Sequence, residues 1–484
     1  MKLFLRLPIK RPEKLFRVDK SFKTKSKITK RTIEVSEAFG IGIDEEREFV
    51  VFRDLEVEIN PQDVVYITGE SGSGKSLLLK QLYEQMKDLP EFGGCTKDDE
   101  LVIDPEEVLV EGVGKDTGEA LMILSQAGLN DAFLFLRRFK ELSDGQKYRY
   151  KIAKMMDSGS GTWFFDEFCS TLDRTTAKAV AYTVQKTARR LHKTMVVATT
   201  HEDLLEDLRP TVLVKKLFGA EVSVLRQNFE PSPCSLLKDV IIKEGSRQDY
   251  IRLEPFHYRS GLNVFVKKIY VAKLGGEVIG AIVYTTPHFS LRARNLVLPR
   301  YSTGSLKERL KALNKDFVRI ARVVVLPRFR SIGLGVKLVK ETMPLMNVPY
   351  VEALAVMAKY NPFFEKAGML KVGSVGSGLE ERCEKVLERL SSFGFDIDLM
   401  ASKAHVLSIL EGLSTERLQE LKRIILHSGC FIAWGFRKIG LKERIERLDK
   451  EAMAEALMGT RSRPIYFIWK NPKFKDHPDP RVIR

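Results

Sequence analysis

Residues 69–76 read Gly-Glu-Ser-Gly-Ser-Gly-Lys-Ser and fit the pattern G-x-x-x-x-G-K-S/T of a phosphate-binding loop (P-loop). An apolar run at 64–68 precedes the loop and predicts a buried strand, and the spacing of apolar residues at 76–86 predicts a helix. Strand, glycine-rich turn and helix in this order form the phosphate-binding unit of an α/β domain with a mostly parallel sheet. This motif therefore restricts the first half of the chain to that fold class.

The residues of this loop have distinct expected roles. Glycines allow backbone amides to face the phosphates of ATP, Lys75 reaches the outer phosphates, and Ser76 offers its hydroxyl to Mg²⁺. The predicted nucleotide ligands in this segment are Gly69, Ser71, Gly72, Ser73, Gly74, Lys75 and Ser76.

A second apolar strand, predicted at 162–165, ends in two carboxylates. Asp166 is expected to hold Mg²⁺ through water, and Glu167 is expected to polarise the water that attacks the outer phosphate. A third predicted strand at 195–198 leads to His201. An isolated histidine is more often structural, but this one follows an ordered series of nucleotide-binding motifs.

The ordered series consists of the P-loop, Leu-Ser-Asp-Gly-Gln at 142–146, Asp166-Glu167, Ser-Thr-Leu-Asp at 170–173 and Thr-Thr-His at 199–201. It resembles the ABC ATPase family over about residues 36–220. The resemblance implies a head-to-tail homodimer in which each ATP lies between the P-loop of one subunit and Ser143 and Gly145 of the other. It also implies that His201 contacts the γ-phosphate and that Asp173 communicates between the two sites. A helix that begins at Ser143 supports this arrangement, because its first amides can bind an anion.

Several features depart from the pattern of that family. Asp144 replaces the usual glycine, and the chain offers no convincing glutamine for coupling to membrane subunits, since Gln126 is predicted to lie on a helix surface. Phe39 is the expected adenine-stacking aromatic residue. No run approaches the eighteen apolar residues that a membrane-spanning helix needs. The lack of a coupling glutamine and of a membrane span disfavours an ATP-binding subunit of a transporter, which remains an alternative.

A second glycine-rich turn, Arg-Ser-Ile-Gly-Leu-Gly at 330–335, follows a predicted strand at 319–326 and precedes a helix. Further along, a strand at 353–357 leads into Asn-Pro-Phe-Phe-Glu-Lys-Ala-Gly-Met at 361–369. Together these segments resemble the GNAT acetyltransferase family over about residues 235–375. The resemblance implies acetyl-CoA as cofactor, its pyrophosphate on the amides of the turn and its pantetheine paired along the edge of the strand. The residues assigned to this site are Val323, Val325, Arg330, Ser331, Gly333 and Gly335.

The catalytic residues of this second domain depart from the family pattern. Phe364 stands where many members place the tyrosine that protonates the leaving thiolate, and Tyr360 is the candidate replacement. His257 is a candidate general base for an amine, because the pKa of histidine lies near working pH. A core aromatic residue and a locally hydrogen-bonded histidine are the structural alternatives for these two positions.

The net charge of +16 is unevenly distributed. Residues 1–35 form a basic arm, and an insertion at 292–315 is rich in cations, with Glu308 as its acid. The cations of the insertion are Arg292, Arg294, Arg300, Lys307, Arg309, Lys311 and Lys315. Such clusters bind polyanions by counterion release, so the predicted acetyl acceptor is a base amine of RNA, tRNA in particular, or of DNA. Solvated basic segments, or a membrane-surface role for the arm, are alternatives.

Two other functions remain open for the second half, namely N-acetylation of proteins or small molecules and an ATP-gated nucleic-acid-binding switch with an inactive GNAT fold. Five scattered cysteines without a CxxC pair predict a cytoplasmic protein. The predicted fold class is α/β. The predicted organisation is a basic arm (1–35), an ABC-type P-loop nucleotide-binding domain (36–225), a GNAT-like α/β acyltransferase domain (235–375) and a helical C-terminal region (376–484).

Overall fold

The computed structural model describes residues 14–25, 27–40, 42, 47–217, 219–257, 265–373, 386, 388–396, 399–428, 449–458 and 464–481. The chain divides into two compact units. The first comprises Met1–Leu262, Ile269–Ile282 and Val323–Leu338, and the second comprises Asn263–Lys268, Val283–Arg322 and Val339–Arg484. In the described part of the chain, no helix is long and apolar enough to cross a bilayer.

A two-stranded antiparallel sheet precedes the P-loop. Strand β1 (Leu15–Thr24) pairs with β2 (Arg47–Glu58), and helix α1 (Lys30–Phe39) lies between them in the sequence. Phe16 and Val18 on β1 are buried in one cluster with apolar residues of the P-loop strand and helix. Residues 15–24 of the predicted basic arm therefore form part of a folded sheet, and residues 1–13 lie outside the described residues.

The first unit is built around a six-stranded sheet with the strand order β4-β5-β6-β3-β7-β8. Its strands are β3 (Val64–Gly69), β4 (Cys95–Lys97), β5 (Thr162–Phe165), β6 (Thr194–Thr199), β7 (Val212–Lys216) and β8 (Val222–Arg226). All neighbouring strands are parallel except β7 and β8. Every residue of β3, β5 and β6 is buried, as expected for central strands that are covered on both faces.

Helices cover this sheet, and they are α2 (Lys75–Met86), α3 (Thr117–Gln126), α4 (Ala132–Phe135), α5 (Asp144–Asp157), α6 (Arg174–Arg190) and α7 (Leu205–Leu208). Apolar residues of α3, α5 and α6 are buried in one cluster with Trp163 of β5 and Tyr66 of β3. The predicted parallel α/β domain is confirmed, and the predicted strand at 162–165 has the same bounds in the structure.

A second sheet has the strand order β14-β15-β13-β12-β11-β10-β9. Its strands are β9 (Ile241–Glu244), β10 (Val266–Leu274), β11 (Glu277–Thr285), β12 (Phe317–Val325), β13 (Tyr350–Ala355), β14 (Leu370–Gly373) and β15 (Ile465–Lys470). Strands β12 and β13 are parallel, and β15 runs antiparallel to both β13 and β14. Gly275 and Gly276 have φ values of 55° and 89° between β10 and β11, a backbone that favours glycine in a two-residue turn.

The helices that accompany these strands are α8 (Arg247–Ile251), α9 (Arg292–Val297), α10 (Leu306–Asp316), α11 (Leu334–Thr342) and α12 (Phe363–Lys366). In the C-terminal region, α13 (Lys403–Gly412), α14 (Thr415–Ser428) and α15 (Lys450–Met458) contribute Leu410, Leu421 and Leu457 to one buried cluster. The prediction of a helical region through to residue 484 is wrong at β15, because this strand is an inner member of the second sheet.

The basic insertion at 292–315 is not a free loop. Arg294 is fully buried and pairs with buried Glu352 on β13, with Nη1 3.1 Å from Oε1. The hydroxyl of buried Tyr466 donates a hydrogen bond to the same carboxylate over 3.1 Å. Arg300 pairs with Asp316, and the Arg309 guanidinium lies over the Phe289 ring. The prediction that the whole cluster faces a polyanion is therefore wrong for Arg294, which supports the sheet.

Replacing Arg294 with alanine is expected to destabilise the protein by about 3–5 kcal/mol, because Glu352 would remain buried without its partner. Urea unfolding followed by circular dichroism measures this loss. The double variant Arg294→Met with Glu352→Gln should regain most of the stability, since glutamine still accepts the Tyr466 hydrogen bond without a buried charge. Alanine at exposed Arg292, the matched control, should cost less than about 0.5 kcal/mol. A loss below 1 kcal/mol for Arg294→Ala would contradict a structural role.

Candidate functional site

The predicted nucleotide residues meet at one edge of the first sheet. In the parallel registers, Thr68 of β3 lies opposite Thr199 of β6, and Phe165 of β5 lies opposite Val197. The P-loop, the carboxylates at 166 and 167, and His201 therefore follow the carboxyl ends of adjacent strands. This edge is where open α/β sheets bind their ligands.

The P-loop has the backbone of an anion-binding turn. Gly69, Gly72 and Gly74 have φ values of 147°, 75° and 104°, which L side chains rarely adopt. A Cβ atom at Gly69 would lie 2.0 Å from the Lys216 carbonyl oxygen, so this position also requires glycine for space. Helix α2 begins at Lys75, and its first amides have no intrahelical acceptor. They are available to phosphate oxygens.

The Lys75 ammonium contacts the backbone of the P-loop. Its Nζ donates a hydrogen bond of 2.7 Å to the Glu70 carbonyl oxygen. Burial lowers the pKa of Lys75, although the negative charges of Glu167 and Asp166 act in the opposite direction. The side chain is thus placed among the loop amides and beside the two carboxylates.

Ser76 and Asp166 form the predicted Mg²⁺ site. The Ser76 hydroxyl donates a hydrogen bond to Asp166 Oδ1 over 3.0 Å, and Asp166 is partly buried. Mg²⁺ in nucleotide sites is held by one or two protein oxygens together with phosphates and water, and this pair supplies such oxygens. The residues present therefore fit the ion.

Glu167 follows Asp166 directly, and His201 follows β6, the strand between β5 and β3. The Glu167 side chain is exposed, its φ is 48°, and its amide donates to Asp166 Oδ1 over 2.9 Å. This left-handed backbone turns the chain immediately after the strand. His201 is partly exposed, and its carbonyl oxygen accepts a hydrogen bond from the buried Tyr66 hydroxyl. That contact fixes the backbone at His201 relative to the strand that carries the P-loop.

Sequence reasoning missed Asp98 as a member of the site. Asp98 follows the short strand β4, and its Oδ1 accepts a hydrogen bond from the Asp166 amide at 3.3 Å. Burial, together with the charges of Asp99 and Asp166, raises the pKa of Asp98 to about 6. A three-residue strand shows no periodicity, so the adjacent acids at 98 and 99 are the signal in the sequence that could have pointed to this carboxylate.

Replacing Asp98 with asparagine is expected to stabilise the metal-free protein at pH 7.5 by up to about 3 kcal/mol. Because the folded-state pKa is raised, the wild type loses stability as pH rises from about 4 to about 6, whereas the variant does not. The difference should therefore vanish near pH 4. Urea unfolding in EDTA across this range measures it. Asp99→Asn at an exposed position is the matched control, and a pH-independent difference for Asp98→Asn would contradict the raised pKa.

Ser143 and Gly145 lie at the start of the 14-residue helix α5. Ser143 is the exposed N-cap, and its amide donates to Gln146 Oε1 over 3.1 Å. A Cβ atom at Gly145 would lie 3.3 Å from Leu172 Cδ2, which places the helix start against the segment before Asp173. The Gln146 amide donates to the Ser143 carbonyl oxygen over 2.9 Å, whereas the amides of Asp144 and Gly145 have no acceptor within the helix and can face an anion.

Asp173 is the N-cap of α6, where its Oδ1 accepts from the Thr176 amide over 3.0 Å. Burial raises the pKa of Asp173, but hydrogen bonds from Thr176 and the positive charge of Arg328 outweigh it and leave the pKa below its usual range. The carboxylate therefore carries a negative charge beside the start of α5.

Gln126 and Phe39 are two further residues considered for the nucleotide site. Gln126 is half-buried on α3, and its Oε1 accepts hydrogen bonds from Thr187 and Arg190 of α6. Phe39 is the last residue of α1 and is 75% exposed. Its role as the adenine-stacking residue stays a prediction.

The second glycine-rich turn lies between β12 and α11, as predicted. Ser331 and Gly333 have φ values of 66° and 104°, and the amides from Gly333 onward precede the first intrahelical hydrogen bond, from Lys337 to Gly333. The parallel register of β12 with β13 covers Phe317–Ile320, so Val323 and Val325 lie beyond it.

Other residues assigned to this region form hydrogen bonds or ring contacts within the protein. Arg330 Nε donates to the Val325 carbonyl oxygen over 2.8 Å, and the pairing of Val323 and Val325 with pantetheine stays a prediction. Phe364 is buried and contacts the Phe467 ring, as a core aromatic residue does. Tyr360 and His257 both have polar or ring contacts, and their catalytic roles stay predictions.

No protein-family model matches the chain. The methionine import ATP-binding protein MetN of Streptococcus agalactiae is 25% identical over 249 residues, which cover 43% of this chain and 68% of that protein. MetN of Corynebacterium jeikeium is 24% identical over 310 residues, covering 54% of this chain and 83% of that protein. The cytochrome c biogenesis ATP-binding export protein CcmA of Nitrosomonas europaea is 24% identical over 184 residues, covering 33% of this chain and 84% of that protein.

Among solved structures, the ATP-binding cassette MJ0796, a dimer with ADP and Pi, matches with a TM-score of 0.32 and 19% identity over 45% of this chain and all of that chain. The sequence relatives support the predictions of ATP, Mg²⁺ and a P-loop ATPase. They give no support to a GNAT domain, to acetyl-CoA or to an RNA partner. The chain thus carries a nucleotide-binding cassette that is homologous to the ATP-binding proteins of the ABC class of ATPases.

Proposed function

We propose that this chain hydrolyses Mg-ATP as a head-to-tail homodimer. The observation that carries the proposal is the contact between Ser76 and Asp166 at 3.0 Å, with Lys75 and Glu167 beside it. These groups supply the metal ligand, the phosphate-binding cation and the carboxylate that phosphate transfer to water requires.

The exposed start of α5 supports the dimeric arrangement. Ser143 is the N-cap of the 14-residue helix α5 and lies at the surface, where free amides and the helix dipole attract an anion. In a head-to-tail dimer, this helix would bind the γ-phosphate held by the P-loop of the other subunit.

In the proposed reaction, Lys75 and the loop amides would hold the β- and γ-phosphates, and Ser76 and Asp166 would hold Mg²⁺, which would neutralise negative charge on the phosphates. Glu167 accepts a proton from water while the water oxygen forms a bond to the γ-phosphorus. The bond to the β–γ bridging oxygen breaks, and the products are ADP and phosphate. His201 orients the γ-phosphate from the end of the neighbouring strand.

Light scattering of the Glu167→Gln variant, in which bound ATP persists, tests the dimer. The mass should double on addition of Mg-ATP and return to that of a monomer after ATP is removed. Ser143→Arg, which places a bulky side chain at the start of α5, should abolish the doubling while one subunit still binds ATP. A monomer at saturating ATP would contradict the proposal.

A second candidate function is that of an ATP-binding subunit of a membrane transport system. The names of the relatives favour it, since MetN is a methionine import protein and CcmA an export protein. Such a subunit should co-purify from native membranes with an integral membrane protein and hydrolyse ATP faster in its presence. Purification of the chain without any membrane protein, at full ATPase rate, would argue against this candidate.

A third candidate adds acetyl-CoA binding at the turn that includes Ser331 and Gly333. The strained backbone of this turn and the free amides at the start of α11 favour a pyrophosphate ligand. Titration calorimetry with acetyl-CoA, with free ATP as a competitor, tests binding. Release of CoA with bulk tRNA, peptides or polyamines then separates nucleic-acid, protein and small-molecule acceptors. Binding without CoA release would favour the switch with an inactive fold.

A further inference from the structure

The turn at 330–333 is attached to the nucleotide-binding cassette by side-chain hydrogen bonds. The Ser331 hydroxyl contacts the Ser125 carbonyl oxygen at 2.9 Å and Asn130 Oδ1 at 3.0 Å. The Arg330 guanidinium donates to the carbonyl oxygens of Asn130 and Phe256. All of these residues belong to the same compact unit. The turn is therefore held by Ser125 at the end of α3 and by the segment that follows α3, residues 127–130.

That segment is also tied to the start of α5. Arg149, on the second turn of α5, donates from Nε to the Gly145 carbonyl oxygen over 3.1 Å and from Nη1 to the Gly128 carbonyl oxygen over 2.7 Å. One guanidinium therefore bridges the predicted γ-phosphate-binding helix start and the segment that holds the turn. Because the fork of a guanidinium is planar and rigid, it fixes the distance between its two acceptors.

The segment has little freedom to absorb a displacement. Gly128 has a φ of 86°, and a Cβ atom there would lie 2.9 Å from Val180 Cγ2 on α6 and 3.3 Å from Arg149 Cδ. Gly128 is thus packed between α6 and the Arg149 side chain. A small shift at the start of α5 is then passed on to Asn130, since packed elements move together.

We propose that Arg149 and Asn130 are positioning residues that couple the occupancy of the nucleotide site to the conformation of the turn at 330–333. The inference rests on the proposed binding of ATP at the start of α5. In the ATP-bound dimer, the γ-phosphate fixes Ser143 and Gly145. Arg149 transmits that constraint to Gly128, and Asn130 transmits it to Ser331. The amides of the turn then have one arrangement with ATP and a different one without it.

Hydrogen exchange of the full chain tests this coupling, with Glu167→Gln as the background that retains ATP. The exchange rate of the amides at 331–336 should change by at least about 5-fold, in either direction, on addition of Mg-ATP. A factor of about 5 is the lower end of usual allosteric coupling. In Asn130→Ala or Arg149→Lys, this change should fall below about 2-fold, because alanine lacks the Ser331 partner and lysine lacks the rigid planar fork that fixes two carbonyl oxygens at a set distance. Each variant should retain ATP affinity and ATP-induced dimerisation.

Arg190→Lys is the matched control. Arg190 contacts Gln126 on α3 and has no hydrogen bond to the turn at 330–333 or to residues 127–130. It should keep the full ATP-dependent change. If ATP assembles the dimer but exchange at 331–336 does not respond, the coupling is refuted while the ATPase proposal stands. If ATP fails to assemble the dimer, the proposed function fails and the coupling fails with it. An undiminished response in both Asn130→Ala and Arg149→Lys would refute the assigned route.

Discussion

Replacing Glu167 with glutamine is expected to lower kcat for ATP hydrolysis by about 100- to 10,000-fold, the usual contribution of a positioned general base. Glutamine has nearly the same shape, and its amide cannot accept the proton of the attacking water. Among the described residues, the exposed Glu167 side chain has no hydrogen bond or ion pair, and the hydrogen bond from its backbone amide to Asp166 is unaffected. Phosphate release at saturating Mg-ATP measures the loss, and equilibrium binding should show ATP affinity within a few-fold of wild type.

A matched control uses the same chemical change at a carboxylate outside the site. Glu106 is exposed and pairs with Arg138 and Lys140, so Glu106→Gln should hydrolyse ATP at the wild-type rate. A Glu167→Gln variant that retains more than half of the wild-type rate would remove the role assigned to this carboxylate. A loss of ATP affinity of similar size would instead place Glu167 in ground-state binding.

Replacing Lys75 with alanine is expected to weaken ATP binding by about 100-fold or more. Its ammonium would form charge-assisted hydrogen bonds with the outer phosphates, each worth about 1.5–3 kcal/mol, and ATP would lose them. The structural cost should be small, because Lys75 Nζ donates within the P-loop to the Glu70 carbonyl oxygen and its burial disfavours the charge. Titration of a fluorescent ATP analogue measures affinity, and thermal unfolding without nucleotide checks the fold.

Lys80 lies on the same helix with an exposed side chain, so Lys80→Ala is the control for the loss of one positive charge. It should bind ATP with wild-type affinity. If Lys75→Ala also keeps wild-type affinity while it remains folded, the P-loop does not hold ATP as proposed. If it loses stability to the same extent as affinity, the assigned binding role loses its support.

The nucleotide motifs could be found from the sequence because each is local. The P-loop, the strand ending at Asp166 and Glu167, and the helix start at Ser143 each lie within eight residues, and glycine positions and apolar runs predict their backbone directly. The structure changed their bounds by only one or two residues, as with α2, which begins at Lys75 and not at Ser76.

Other features depended on residues far apart in the sequence. The fully buried Arg294 pairs with Glu352, 58 residues away, and a charged residue in a basic segment is expected at the surface in the absence of that partner. Strand β15 enters the second sheet between β13 and β14 from the far end of the chain, and its short pattern gave no sign of its neighbours.

The α/β nucleotide-binding cassette and its P-loop can be predicted from the amino-acid sequence, because backbone geometry at glycines and runs of apolar residues are local properties of the chain. Three placements require the folded chain: Asp98 beside Asp166, Arg149 between Gly145 and Gly128, and Asn130 against Ser331. Apart from the bond within α5, these contacts join separate elements, and their partners are chosen by packing and by the need of buried polar groups for hydrogen bonds.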